Sequence, residues 1–187
     1  VRPYNWDLSA ELQRQIGRDM SMTVGYYRNW YGNFSVTDNL AVSPADFNSY
    51  CVTAPRDPRL PNGGGYQVCD LYDISPAKFG QSNNLVKQAK DFGNQTQVSN
   101  FFTFAMDARF ASGVRFGGGI DTGKTTTDIC EVRKALPELN IAGSVTPSSP
   151  YCRVSSPFSG NTQNKLNGSY PLPHEFFVSA LYQNLSG

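Results

Sequence analysis

Six stretches of this chain alternate apolar and polar residues at every second position, the repeat of a β-strand whose two faces meet different surroundings. They are residues 6–12, 20–31, 101–110, 114–124, 164–170 and 176–183. In the first, Trp6, Leu8, Ala10 and Leu12 share one face, and Asp7, Ser9, Glu11 and Gln13 the other. The third sets Phe102, Phe104, Met106 and Ala108 against Thr103, Ala105, Asp107 and Arg109. The second, fourth and fifth repeat the pattern. The sixth pairs Phe176, Val178, Ala180 and Tyr182 with a more mixed row of Phe177, Ser179, Leu181 and Gln183. The pattern predicts an all-β chain of about six antiparallel strands.

The connections between the strands are unequal. Those around 17–19, 111–113 and 171–175 are short, whereas 32–100 and 125–163 are very long. Short turns at one end and long loops at the other are the habit of outer-membrane β-barrels, whose long loops face outwards. A soluble sandwich would alternate as well, with its polar face in bulk water, so two further features count. The charges Arg14 and Arg28 on the apolar rows stand near strand ends, where a lipid-facing charge costs about 0–1 kcal/mol against about 2–4 at the bilayer midplane. Large aromatics also gather towards both strand ends: Trp6, Trp30, Tyr31 and Phe101 on the long-loop side, and Phe110, Phe116, Tyr170 and Phe176 on the other. Aromatic girdles are expected at the two membrane interfaces.

Composition narrows the function classes. A net charge of +1 and a charged fraction of 17% offer no basic field for nucleic acid. No window reaches the roughly 18 apolar residues of a membrane-crossing helix. The opening Val1-Arg2-Pro3-Tyr4 is not a leader peptide. Six strands are fewer than the eight or so of the smallest membrane barrels, so the chain reads as an internal piece of a longer protein.

The first long loop is rich in turn formers, with 54–58 (APRDP) and 61–65 (PNGGG), and Ser43-Pro44-Ala45-Asp46 suits the start of one helical turn. Cys51 and Cys69 lie in this loop and Cys130 and Cys152 in the second. One disulfide per loop is the simplest of the three possible pairings. Each closure would stabilise by about 3 kcal/mol in the chain-entropy picture, and such usage fits an oxidising compartment. Zinc is disfavoured, since there is no CxxC and His174 is remote in sequence.

Three further motifs dissolve on inspection. GGIDTGKT at 118–125 matches the phosphate-loop pattern, but the following TTDIC has no helical period to supply amides to a phosphate. His174 sits in a Pro-flanked turn with no nucleophile marked beside it. Asp107 with Arg109, and Asp121 with Lys124, read as solvated or paired wall charges. No nucleophile–base or metal constellation indicates an enzyme, and no cofactor is expected.

Several runs together resemble the barrel of TonB-dependent outer-membrane receptors, in the subgroup with an N-terminal carboxypeptidase-regulatory-like domain. They are WYGNFSVTDN (30–39), APRDPRLP (54–61), LYDI (71–74), DFGNQT (91–96), GKTTTD (123–128) and KLNGSYPLP (165–173). The resemblance implies a bacterial outer-membrane location, a 22-stranded barrel around a plug, and import of a scarce nutrient with energy from TonB. The runs here match the late barrel only, so the plug and the TonB-contacting segment fall on no residue of this sequence.

The expectation is therefore a transmembrane β-barrel segment over 1–187, with long extracellular loops at about 32–100 and 125–163. Its partners would be outer-membrane lipid, the rest of the barrel and plug, TonB, and a small-molecule, sugar or peptide cargo. Tyr66, Tyr72, Asn83 and Asn84 are the candidate ligand contacts, because aromatic faces with amides suit sugars and peptides. The rival readings are a secreted or surface β-sandwich module for binding or adhesion, and a barrel that acts as a scaffold without transport.

Overall fold

A computed structural model of the protein describes residues 2–140 and 152–185. In chain order the strands are β1 (Tyr4–Ile16), β2 (Met20–Gly32), β3 (Ser35–Asn39), β4 (Phe47–Thr53), β5 (Gln67–Ile74), β6 (Asn84–Gln88), β7 (Thr96–Arg109), β8 (Arg115–Asp128), β9 (Arg153–Ser155), β10 (Gln163–Pro171) and β11 (Phe177–Asn184). The one α-helix among the described residues is α1 (Cys130–Ala135), and the rest is 3-10 turns and loops.

The six alternating stretches are all strands, and they lie side by side in the order β1-β2-β7-β8-β10-β11, with β9 also on β8. The β2–β7, β8–β10 and β10–β11 pairs are antiparallel. This is an up-and-down sheet, with its short turns at one end and both long insertions at the other. Among the described residues the sheet is open, with β1 and β11 at its edges, and shows no closed barrel.

Three of these strands outrun the sequence expectation. β1 spans 4–16, β7 begins at Thr96 and β8 continues to Asp128. The added stretches, such as 96–100 (TQVSN) and 125–128 (TTTD), are mainly polar, with β-favouring Thr and Val among them, so apolar alternation alone cuts the strands short. The long connections shrink accordingly, and residues 141–151 of the second lie outside the described part.

The chain divides into two compact units. One holds 5–30, 98–126 and 155–187; the other holds 1–4, 31–97 and 127–154. The first unit is most of the sheet. Its register sets Met22 opposite Met106, Val24 opposite Phe104 and Tyr26 opposite Phe102, so the apolar rows of neighbouring strands merge into one face. The same alignment holds where Leu166 pairs with Tyr182 and Tyr170 with Val178. This face is uncovered: Leu12 is 70%, Trp6 61% and Phe104 44% exposed.

The second unit consists of the two long insertions folded together. β3 pairs β6 and β4 pairs β5, giving two hairpins where the sequence shows only a long polar loop. The cysteines pair as expected, Cys51 with Cys69 and Cys130 with Cys152. Between Tyr50 and Val52 the β4–β5 register shifts by a bulge, with Asp70 in the left-handed region at φ 56°. Ser43–Asp46 forms its expected turn as a 3-10 turn, in which the Asp46 carboxylate accepts from the Ser43 N–H and hydroxyl, both at 2.8 Å. Those two bonds hold the Asp46 carboxyl below the ordinary aspartate range. At Gly64 (φ 77°) a Cβ would overlap the Pro55 carbonyl, so the turn in 61–65 requires glycine there.

A small core joins the two insertions. Ala89 from the first packs with Val132 and Leu136 from the second, flanked by Phe34, Val36, Phe92 and Leu139. Glu131 of α1 accepts the Asn94 backbone N–H at 2.7 Å. Gly93 fits closely against this helix, since a Cβ there would meet the Glu131 side chain.

Candidate functional site

The polar face of the sheet is a hydrogen-bonded wall. The Tyr27 hydroxyl donates to Glu11, Asn29 donates to Asp7, and Thr103 donates to Asp121 at 2.7 Å. Ser99 and Thr125 hydroxyls meet at 2.9 Å. Three carboxylates of this face, Asp7, Glu11 and Asp121, thus accept from neutral donors on the next strand, the cross-strand economy of a sheet. Gly117 makes room in this wall, because a Cβ there would crowd Asp107 and Asn167.

On the other face the β7–β8 register set by the Thr103–Asp121 and Ser99–Thr125 pairs brings Lys124 beside Asn100, which stands opposite Arg28. Tyr26 donates to the Asn100 side chain at 2.8 Å, and the Arg28 guanidinium lies 5.7 Å from the Trp30 ring centre. Lys124, expected to share the wall with Asp121, stands instead on the apolar row like Arg28, close to the loop end, because residues three apart in a strand point to opposite faces. The apolar band is therefore bounded on this side by a row of amphipathic and cationic side chains.

The phosphate-loop match at 118–125 lies wholly within the extended strand β8. His174 and Glu175 occupy the centre of the β10–β11 turn with φ 61° and 62°. Among the described residues no three His, Cys, Asp or Glu side chains come together as a metal site, and no helix is long and apolar enough to cross a membrane.

The four candidate ligand contacts fall on two different hairpins. Tyr66 precedes β5, with its carbonyl accepting from Ala54 N–H at 2.9 Å, and Tyr72 stands in β5 opposite Ser49. Both are half-buried. Asn83 and Asn84 are exposed at the β3–β6 end, where Asn83 N–H donates to the Asn39 side chain at 2.7 Å and Asn84 pairs with Asn39.

A different set of residues surrounds a groove of about 500 Å³, where the first insertion leaves β2 and where it returns to β7. Asn33, Phe34, Gln88, Lys90, Asn94 and Gln95 line it. Pairing of Ser35 with Gln88 brings the outgoing and returning segments together. Asn33 is left-handed, at φ 56°, a conformation asparagine tolerates, and its Nδ2 donates to the Arg2 carbonyl at 3.2 Å. No alternation marks these residues. Two of the runs that carry the family resemblance, 30–39 and 91–96, contain three of the amides, and only the β3–β6 pairing reveals that they face a common space.

Elsewhere in this unit Lys87 is paired with the buried Asp38 at 2.7 Å. Burial, assisted by the charge of Asp38, holds the nearby Glu138 carboxyl above the ordinary glutamate range, although its bond from Asn39 N–H opposes this. Burial likewise lowers the affinity of Arg133 for its proton. Neither group faces the groove.

Comparison of the chain with protein-family models, curated proteins and solved structures returns no match.

Proposed function

We propose that the chain is part of an outer-membrane barrel of the TonB-dependent receptor type, binding a scarce nutrient outside the cell and passing it inwards without covalent chemistry. The observation that carries this reading is the uncovered apolar face running through the strands of a sheet with all its short turns at one end. An exposed apolar surface of this extent marks an interaction with lipid or protein. The strands run from 8 to 14 residues, enough for the roughly 9–11 residues of a tilted crossing in all but the shortest. The cationic and aromatic row at the loop end suits a membrane interface. A sandwich module would need a second sheet over the apolar face, and the remaining β-pairs are two-stranded and belong to the other unit. The edges at β1 and β11 are where further strands of the barrel would join.

Both native cysteine pairs are disulfides, so a single introduced cysteine can carry a nitroxide label. In the full-length protein in bilayers, labels at Leu8, Val24 and Phe104 should be relaxed by oxygen dissolved in lipid. Labels at Ser9, Thr23 and Thr103 should respond to a water-soluble nickel complex instead. Equal access of the nickel complex to both rows would sink the proposal and favour a soluble module.

A further inference from the structure

We infer that the groove at the stem of the first insertion binds a saccharide, with preference for one bearing a carboxylate. This names the cargo class of the receptor reading and depends on that reading for its biological setting.

The argument begins with hydrogen-bonding capacity. The side-chain amides of Gln88, Asn94 and Gln95 make no hydrogen bond within the described residues, although Gln88 and Gln95 are half-buried. Their polar atoms stay open to solvent, so these donors and acceptors are available to water or a ligand. Each amide offers two donors on nitrogen and an acceptor oxygen, which matches adjacent hydroxyls that both donate and accept. Asn33, whose nitrogen is bound to Arg2, still presents its oxygen. Phe34 supplies an aromatic wall for the apolar face of a sugar ring.

Charge and size complete the case. Lys90 is exposed and forms no ion pair among the described residues, and no carboxylate is among the residues lining the groove. One ammonium among neutral amides favours a ligand with an isolated negative charge over a strongly cationic or polyanionic one. The volume of about 500 Å³ lies within the ~300–1,000 Å³ of small-ligand sites. The walls are also preformed. Ala89 is buried in the core with Val132 and Leu136, and the Asn94 N–H is fixed by Glu131, so binding need not order a loose loop.

A peptide is the other ligand that amides could grip. Grooves that read peptide side chains need apolar pockets, whereas Phe34 is the one large apolar residue lining this one.

The test uses the full-length protein in detergent with its disulfides intact. Probes are tetragalacturonate, maltotetraose and a neutral tetrapeptide, followed by calorimetry and saturation-transfer NMR. Tetragalacturonate should bind more tightly than maltotetraose, and the peptide should not bind. Gln88→Ala with Gln95→Ala should weaken tetragalacturonate by about tenfold or more, as expected for two lost hydrogen bonds. Lys90→Gln should abolish the preference for the acidic sugar and leave maltotetraose unchanged. Tyr72→Ala, on the other hairpin, should leave binding intact. Amide exchange of β3 and β6 would verify that each variant keeps its fold.

Absence of saccharide binding by the folded protein, indifference to the double substitution, or stronger binding of the peptide would each overturn the inference. These readouts are independent of membrane topology, so the nitroxide experiment can fail while this one succeeds, and the reverse.

Discussion

Burial, reinforced by Asp38, keeps the Glu138 carboxyl above its ordinary range, so the folded loop unit holds that proton more tightly than the unfolded chain does. Its contribution to stability is complete below the ordinary glutamate range and is lost as pH rises through the raised value. Amide protection around β3, taken relative to the intrinsic exchange rate at each pH, should therefore rise on acidification from neutral pH, and Glu138→Gln should flatten that dependence. At the β10–β11 turn, His174 and Glu175 both adopt positive φ, as a type I′ turn requires but for which Asn-Gly is far better suited. Replacing the pair by Asn-Gly should stabilise the hairpin by about 1–2 kcal/mol, measured as slower exchange in β11. The sequence marks Asn33 and Asn62 as residues suited to left-handed backbone. It does not mark His174 and Glu175, whose conformation is imposed by the strands they join.

At the scale of elements, the six strands were legible because each sets an apolar row against a polar one, and two-residue periodicity survives any error in the ends. The cysteine pairing was legible for a similarly local reason, since each pair is close in sequence. The four short strands of the first insertion were not. β3, for example, reads Ser-Val-Thr-Asp-Asn, and its pairing with β6 depends on contacts across nearly fifty residues. The groove inherits that opacity, as its amides come from both sides of this pairing. Helix α1 has only six residues, too few to stand without tertiary support. Leu136→Ala, just beyond it, should cost about 2–4 kcal/mol. The expected result is faster exchange in β3 and β6, while β2 and β7 remain protected over Met20–Gly25 and its partners.

For the molecule as a whole, what matters is which solvent the apolar face meets. Phe104 lies near the middle of the apolar band, opposite Val24. If lipid covers it, Phe104→Arg should destabilise the full-length protein by about 2–4 kcal/mol, whereas Arg28→Leu near the loop end should change stability by at most about 1 kcal/mol. Equilibrium unfolding in bilayers measures both. A near-zero effect at Phe104 would argue for water on that side. The alternation alone could not choose between lipid and water, because it is the same in a sandwich and in a barrel. The asymmetric connections and the uncovered face are the features on which the proposed lipid-facing reading rests.

The shared core of the two insertions has a consequence for how such a protein can diverge or be re-engineered. Grafting residues 33–95 into another protein would strip Ala89 and Phe92 of Val132 and Leu136, and would leave Asn94 without its Glu131 cap. Transplanting the second insertion alone would strand the opposite half. A chimaera should keep this unit folded only when both segments travel together, so two distant stretches of chain must be inherited as a pair.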